Sequence, residues 1–169
     1  MLLLFAGQET TTHLISSGTW LLLRHPDELR KLRDGSVSWA SAVEEILRYE
    51  APAKGMLRLT RSDLELGGQR IPAEQMLYFS IAAANRDPAQ FQEPERFDVN
   101  RQDTRNLAFA HGLHYCVGAL LARLEGGARA GGAVPPPART EAQDGHSPVA
   151  REPVHARAGS CCASRSDEG

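Results

Sequence analysis

One cysteine lies in a turn-rich segment that is followed at once by a helix-prone apolar run. Residues 109–118 have the sequence FAHGLHYCVG, and ALLARLE follows them. A cysteine that binds a metal does so as the thiolate. The start of a helix supplies free backbone N–H groups and a dipole that favours negative charge. The position of Cys116 therefore suits a metal-ligating thiolate, although a lone cysteine before an apolar helix is more often a small buried hydrophobe.

The residues around this cysteine form the pattern Phe-x-x-Gly-x-His-x-Cys-x-Gly, from Phe109 through Gly112, His114 and Cys116 to Gly118. The pattern resembles the cysteine-ligand loop of the cytochrome P450 family, the haem-thiolate monooxygenases. The resemblance implies that the chain binds haem b and that Cys116 is the axial ligand of the iron, since thiolate ligation favours O–O cleavage. It also implies that Phe109 shields the sulfur, that Gly112 shapes the loop and that His114 donates to a haem propionate.

A polar patch, AGQETTTH, interrupts the apolar segment 2–23, which the sequence predicts to be one long helix. The patch resembles the oxygen-activating segment of the same family, Ala/Gly-Gly-x-Asp/Glu-Thr. Ala6 and Gly7 leave one helix face without bulk, as a flat neighbouring group would require. The resemblance implies that Thr10 forms a hydrogen bond to iron-bound dioxygen and that Glu9 takes part in proton delivery. The alternative is a buried helix whose threonine hydroxyls bond back to carbonyls one turn earlier.

Glu45 and Arg48 lie three residues apart on the predicted helix 38–49 and therefore share a face. On an exposed helix such a pair contributes only about 0.2–0.5 kcal/mol. The family resemblance implies instead an internal ion pair, completed as a triad by Arg96 of the PERF sequence. It also implies that Arg58, on the first predicted strand, pairs with a haem propionate. For Glu45 and Arg48 the alternative is a surface ion pair, and for the PERF segment it is an ordinary polar loop. For Arg58 it is a position on the solvent face of an edge strand.

The order of helix-like and strand-like segments predicts the fold class. The long helix ends before Pro26, a short helix follows as far as Gly35, and a third covers residues 38–49. The sequences MLRLT, LELGG, QRIP and MLYFSIA then predict short strands with a hairpin at Gly67-Gly68. We predict a mainly α fold with a small β-sheet region (α+β), corresponding to part of the cytochrome P450 fold.

The composition changes after Glu125. Residues 126–169 contain no Leu, Ile, Met, Phe, Tyr or Trp and include a PPP sequence. Such a segment buries too little apolar surface to offset its ordering entropy, so we expect disorder. The predicted division is therefore 1–125, the carboxy-terminal part of a cytochrome P450 haem domain, and 126–169, a low-complexity tail. We hypothesise that a shifted reading frame produced this tail, in which Cys161 and Cys162 have no inferred role.

The overall composition excludes several classes of function. A formal net charge of −2 argues against a nucleic-acid partner. No segment approaches the roughly 18–20 apolar residues that a membrane span requires. The 3 cysteines form neither a disulfide framework nor a zinc-binding spacing. The chain is therefore predicted to be cytoplasmic, with no membrane partner.

The resemblance implies an enzyme that activates dioxygen reductively. It would insert one oxygen atom into a small organic substrate and reduce the other to water, with electrons from a ferredoxin or a flavoprotein fed by NAD(P)H. Two alternatives stay open. One is a truncated, non-catalytic product that retains the motifs but does not bind haem productively. The other is a small redox or metal-binding module of Cys116, His111 and His114, which lacks a fourth ligand at a plausible distance.

Overall fold

The computed structural model describes residues 2–133, in which helices dominate and two small antiparallel strand pairs follow the third helix. The elements are α1 (Leu2–Arg24), α2 (Pro26–Arg33), α3 (Trp39–Tyr49), β1 (Gly55–Leu59), β2 (Leu64–Leu66), β3 (Gln69–Ile71), β4 (Met76–Ser80), α4 (Ile81–Ala84), a 3-10 helix (Gly112–His114) and α5 (Ala119–Ala133). The predicted fold class, mainly α with a small β-sheet region, is confirmed.

The long first helix buries one face only. Leu14, Leu21 and Leu22 are buried, whereas the side chains of residues 3–10 are exposed. At the buried Gly18, a Cβ atom would come within 2.9 Å of Ile46 Cδ1, so the glycine allows α1 and α3 to approach closely. Within residues 2–133, no helix combines the length and apolarity needed to cross a membrane.

Helix α3 is the centre of the core. Its N-cap, Ser38, accepts a hydrogen bond from the Ser41 N–H at 3.1 Å, which satisfies one of the free donors at the helix start. Val43, Ile46 and Leu47 are buried, each contributing about 1.5–3 kcal/mol by the removal of apolar surface from water. The other buried members of this core lie on α1 (Leu14, Leu21, Leu22), on α2 (Leu29, Leu32), just before and on α3 (Val37, Ala42) and in the segment after α4 (Phe97, Val99).

The strands form two separate antiparallel pairs. Strand β1 pairs with β4 in a register that runs from Gly55 opposite Ser80 to Leu59 opposite Met76. Strands β2 and β3 form the hairpin predicted at Gly67-Gly68, whose φ angles are +57° and +77°. Two successive positive φ angles match the twist of a tight hairpin, and glycine adopts them without strain. The prediction of this turn is therefore confirmed.

Helix α5 continues past the point at which the composition changes. It extends through Gly126 to Ala133, so residues 126–133 are helical where we expected a disordered tail. Gly126 is buried, and a Cβ atom there would lie 3.1 Å from Leu14 Cδ2 and 3.4 Å from Val43 Cγ2. Because Gly126 has no side chain, α5 can pack closely on α1 and α3 at this position. The rest of the predicted tail, with Cys161 and Cys162, lies outside the described residues.

Candidate functional site

The cysteine loop, residues 109–118, is a folded turn held by its own backbone. The Cys116 N–H donates to the Phe109 carbonyl at 3.0 Å, and the Tyr115 N–H donates to the Gly112 carbonyl at 3.0 Å. Gly112 has a φ angle of +80°, a conformation that side chains disfavour. Cys116 is a free, exposed thiol that precedes α5, and its carbonyl accepts from the Ala119 N–H at 3.2 Å. The loop therefore presents the sulfur at the amino-terminal end of a helix.

A cleft of about 220 Å³ separates this loop from α1. It brings together five of the residues that the sequence analysis selected, namely Ala6, Thr10, Phe109, His114 and Cys116. The other lining residues are mostly apolar: Thr11, Leu14, Leu47, Pro52, Ala53, Met56, Ala108, Ala110 and Ala122. An apolar cleft with few polar groups is typical of a site for a small molecule or cofactor.

A second cleft, of about 270 Å³, adjoins the first, and the two share the side chains of Met56 and Ala110 as lining. Arg58 lies on β1, as predicted, and lines this second cleft together with His111. The exposed Arg58 side chain donates to the Leu57 carbonyl at 2.9 Å and to Met56 Sδ at 3.2 Å. The structure thus places Arg58 next to the cysteine cleft, not inside it. His111, which we had considered only as a metal ligand, joins Arg58 there.

Thr10 and Glu9 lie on different faces of α1. Thr10 lines the cleft with Cys116, and its hydroxyl donates to the Ala6 carbonyl at 2.6 Å. This is the back-bonded arrangement that we had considered as the alternative for the patch, and it leaves the hydroxyl lone pairs as acceptors. Glu9 instead lines a surface depression with Phe5, Gln8, Thr12 and His13. Successive residues are rotated by about 100° around a helix axis, and here the rotation directs Glu9 away from the cysteine cleft.

The Glu45–Arg48 pair is completely buried, with both side chains 0% exposed. Arg48 donates from Nε to Glu45 Oε2 at 2.7 Å and from Nη2 to Oε1 at 2.9 Å. Its remaining N–H groups donate to the backbone carbonyls of Asn85 and Pro94 at 2.9 Å and of Arg96 at 3.1 Å. All five guanidinium donors therefore have acceptors, the condition under which a buried charge is tolerated. A surface ion pair, one of the alternatives above, does not describe this arrangement.

Arg101, not Arg96, supplies the second guanidinium. Arg101 Nε lies 3.2 Å from Glu45 Oε2, and the Arg101 side chain is only 10% exposed. Arg96 contributes its carbonyl to Arg48, while its half-exposed side chain pairs with Glu93 at 3.2 Å and Asp98 at 3.6 Å. The assignment of the Arg96 side chain to the triad is corrected accordingly. Residues 93–101 form an irregular segment, where side-chain direction follows the individual turns and not a repeating period.

Asn85 connects the buried pair with the segment just before the cysteine loop, and it is not among the site residues predicted from the sequence. Its carbonyl accepts from Arg48, and its side-chain Oδ1 accepts from the Leu107 N–H at 2.7 Å. The residue is fully buried, and its Nδ2 has no hydrogen-bond partner within the described part of the chain. A single asparagine at the end of a short apolar run carries no pattern that predicts such a contact.

The metal-binding module considered above has no geometric support. Across residues 2–133, no three His, Cys, Asp or Glu side chains converge as metal ligands. His114 lines the cleft with Cys116, whereas His111 lines the adjoining cleft with Arg58. The two histidines of the HGLHYC sequence thus serve different clefts.

Comparison with known proteins identifies the family. The family model described as "Cytochrome P450" matches residues 40–128. The chain is 46% identical over 124 residues to cytochrome P450 CYP107DY1 of Priestia megaterium, covering 73% of this chain and 30% of that protein. It is also 46% identical over 126 residues to 6-deoxyerythronolide B hydroxylase of Saccharopolyspora erythraea, covering 75% of this chain and 31% of that protein.

The solved structures agree with the sequence relatives. The crystal structure of P450BioI in complex with an acyl carrier protein carrying hexadec-9Z-enoic acid superposes with a TM-score of 0.75 at 42% identity. The superposition covers 79% of this chain and 35% of P450BioI. The chain therefore spans about a third of the length of the relatives it matches. The family model covers more than half of the chain, and the chain belongs to the cytochrome P450 family.

Proposed function

We propose that this chain is the cysteine-loop part of a haem-thiolate monooxygenase and that Cys116 Sγ is the axial ligand of haem b. The observation that carries the proposal is the convergence of Thr10, Phe109 and Cys116 on one apolar cleft, in a chain of the cytochrome P450 family. Neither the polar patch of α1 nor the cysteine loop specifies a site by itself. Their meeting across the cleft, from segments about a hundred residues apart, supports a common ligand.

The residues around the two clefts fit haem by their chemistry. Haem has a flat apolar face, a metal that accepts a thiolate and two acidic propionates at one edge. The mostly apolar lining suits the face, and the free thiol of Cys116 suits the metal. Arg58 and His111 beside the cleft, with His114 in it, are the donors that would hold the propionates.

When bound, haem supplies the reductive activation of dioxygen and the insertion of one oxygen atom into an organic substrate. The Cys116 thiolate would donate electron density to the metal, and Phe109 would shield the sulfur from water. The Thr10 hydroxyl would hold a proton at Oγ1 on the opposite wall, after rotation away from the Ala6 carbonyl. Glu9 does not line the cleft, so a part in proton delivery would depend on a movement of α1 or on intervening solvent.

The partners follow from the reaction class. Electrons would come from a ferredoxin or a flavoprotein fed by NAD(P)H, and the substrate would be a small organic molecule. One relative is a hydroxylase by name, which agrees with oxygen insertion. We propose a cytoplasmic location, where reduced donors are available.

The test is the difference spectrum of the full chain after reconstitution with haem, reduction and addition of carbon monoxide. We expect the red-shifted Soret band of a thiolate–haem–CO complex in the unmodified chain. The band should disappear in Cys116→Ala and persist in the matched cysteine variant Cys161→Ala. Persistence of the band in Cys116→Ala would refute the ligand assignment. A chain without the band would instead support the alternative of a product that retains the motifs but does not bind haem productively.

A further inference from the structure

Two consecutive glutamates of α3 contact different parts of the chain. Glu45 faces inward to Arg48 and Arg101, whereas Glu44 faces α5 and the cysteine loop. Glu44 accepts from Arg123 through both oxygens, at 2.5 Å from Nε to Oε1 and at 3.4 Å from Nη2 to Oε2. The Arg123 and Glu44 side chains are 34% and 23% exposed, so this pair is partly shielded from water.

Arg123 also contacts the cysteine loop at two points. Its guanidinium carbon lies 4.5 Å from the centroid of the Phe109 ring, a distance at which a cation is attracted to an aromatic face. Its Nη1 donates to the Tyr115 hydroxyl at 3.2 Å. Phe109 is the residue whose carbonyl accepts the Cys116 N–H, and Tyr115 directly precedes Cys116. One guanidinium therefore contacts the side chains of two residues joined to Cys116, Phe109 through a backbone hydrogen bond and Tyr115 through the peptide bond.

The contacts of Glu44 secure this arrangement from the other side. Its carbonyl and its Oε2 both accept from Asn106 Nδ2, at 3.4 Å and 3.3 Å, just before the loop begins. The hydrogen bonds from Arg123 to Glu44 raise the pKa of the guanidinium above its already high ordinary value. A guanidinium stays protonated in proteins, so Arg123 presents a charged, planar set of donors to its partners.

We propose that Arg123 is a positioning residue, anchored by Glu44, that holds the cysteine loop at a fixed place against α3. Its consequence for haem ligation rests on the proposed function, but the fixing of the loop does not depend on haem. The inner pair, Glu45 and Arg48, fixes the segment after α4. The partly exposed pair of Glu44 and Arg123 holds the loop that carries the Cys116 thiol.

The test is hydrogen–deuterium exchange on the full chain without haem, followed by peptide mass spectrometry. In Arg123→Gln and Glu44→Gln we expect the amides of residues 109–118 to exchange about tenfold faster, since each variant removes a charge-assisted contact that opposes local opening. Exchange in α2 should not change. The matched control is Arg30→Gln, which removes an exposed pair with Asp27 whose side chains are 71% and 80% exposed. We expect no change in the loop for this control.

Two further variants distinguish positioning from general stability. Tyr115→Phe removes one hydroxyl only, and we expect exchange in the loop to rise about twofold to threefold. Arg123→Lys keeps the charge but loses the planar fork, so it should not restore protection. In the double variant Glu44→Gln/Arg123→Gln, loop exchange should be as fast as in either single variant, since substitutions at two residues in direct contact do not have additive effects.

The inference is refuted by unchanged loop exchange in Arg123→Gln, or by a uniform increase across all peptides, including those of α2. Its outcome is separate from that of the proposed function. Faster exchange confined to the loop, in a chain without a thiolate Soret band, would support the positioning role and count against haem ligation. A thiolate Soret band in the unmodified chain, together with unchanged loop exchange in Arg123→Gln, would refute the positioning role and leave the proposed haem ligation standing.

Discussion

The buried pair of Glu45 and Arg48 and the cysteine loop are built in opposite ways. Every donor of Arg48 ends on an oxygen of the chain itself, and water does not reach either side chain. Cys116 and its neighbours in the loop are largely exposed, and the Cys116 thiol is free. The donors of Arg48 all have hydrogen-bond acceptors within the protein, whereas the Cys116 thiol is accessible from outside.

The difference indicates which residues maintain the fold and which are left accessible for the function proposed above. A buried charge without a complete set of partners is strongly destabilising, so the stability of the fold depends on the complete set of partners of Glu45 and Arg48. An exposed thiol in a turn contributes little to stability. Apolar side chains near it are also exposed, among them Leu113 at 103%, Val117 at 92% and Leu120 at 72%. Substitutions in the two regions should therefore affect different measurements.

The largest effect is expected at the buried pair. Glu45→Ala removes the buried carboxylate that pairs with both Arg48 and Arg101, so we expect the free energy of unfolding to fall by about 3–5 kcal/mol. The measurement is urea unfolding followed by circular dichroism. The matched control is Asp27→Ala in the exposed pair with Arg30, where the loss should be less than about 1 kcal/mol. Equal losses in the two variants would contradict the contrast between the regions.

A smaller effect is expected where α5 meets α1 and α3. Gly126→Leu places a side chain against Leu14 and Val43, so we expect a loss of about 1–3 kcal/mol from overpacking. Gly127→Ala is the matched control, because a Cβ atom there meets nothing within 4 Å. The alanine should stabilise the chain by about 0.5–1 kcal/mol through helix propensity. Thermal unfolding compares the two, and a stabilising Gly126→Leu would refute the close packing of α5.

The smallest effect on stability is expected at Asp63, beside the exposed β2–β3 hairpin. The hydrogen bond from Arg70 at 2.7 Å, and then that from the Ala73 N–H at 3.0 Å, lower the pKa of Asp63 below its ordinary value of 3.8. A lowered folded-state pKa means that the contribution of Asp63 is present above the ordinary value. It is lost as the pH falls through the lowered one. NMR titration of the carboxyl should give a midpoint below 3.8, and Arg70→Gln should raise it. A midpoint that Arg70→Gln does not move would remove Arg70 as the cause.

The local parts of this protein could be predicted from its sequence. Glu45 and Arg48 share a helix face because they are three residues apart, and Gly67-Gly68 makes a hairpin turn because both residues accept positive φ angles. These outcomes depend on neighbours within a few positions, so residue type and spacing are sufficient. The cysteine-loop pattern and its family resemblance likewise needed no coordinates.

Contacts between distant segments could not be predicted in this way. Arg101 and not Arg96 reaches Glu45, Glu9 lies away from the cleft that Thr10 lines, and α5 continues through Gly126 although the composition there suggested disorder. In an irregular segment no period sets the direction of a side chain, and at a helix interface it is the neighbouring surface that decides which residue fits. The sequence by itself thus determined the local elements and the family of the chain. The tertiary structure alone decided which charged side chains meet and what supports the thiol, because those contacts depend on how separate segments pack.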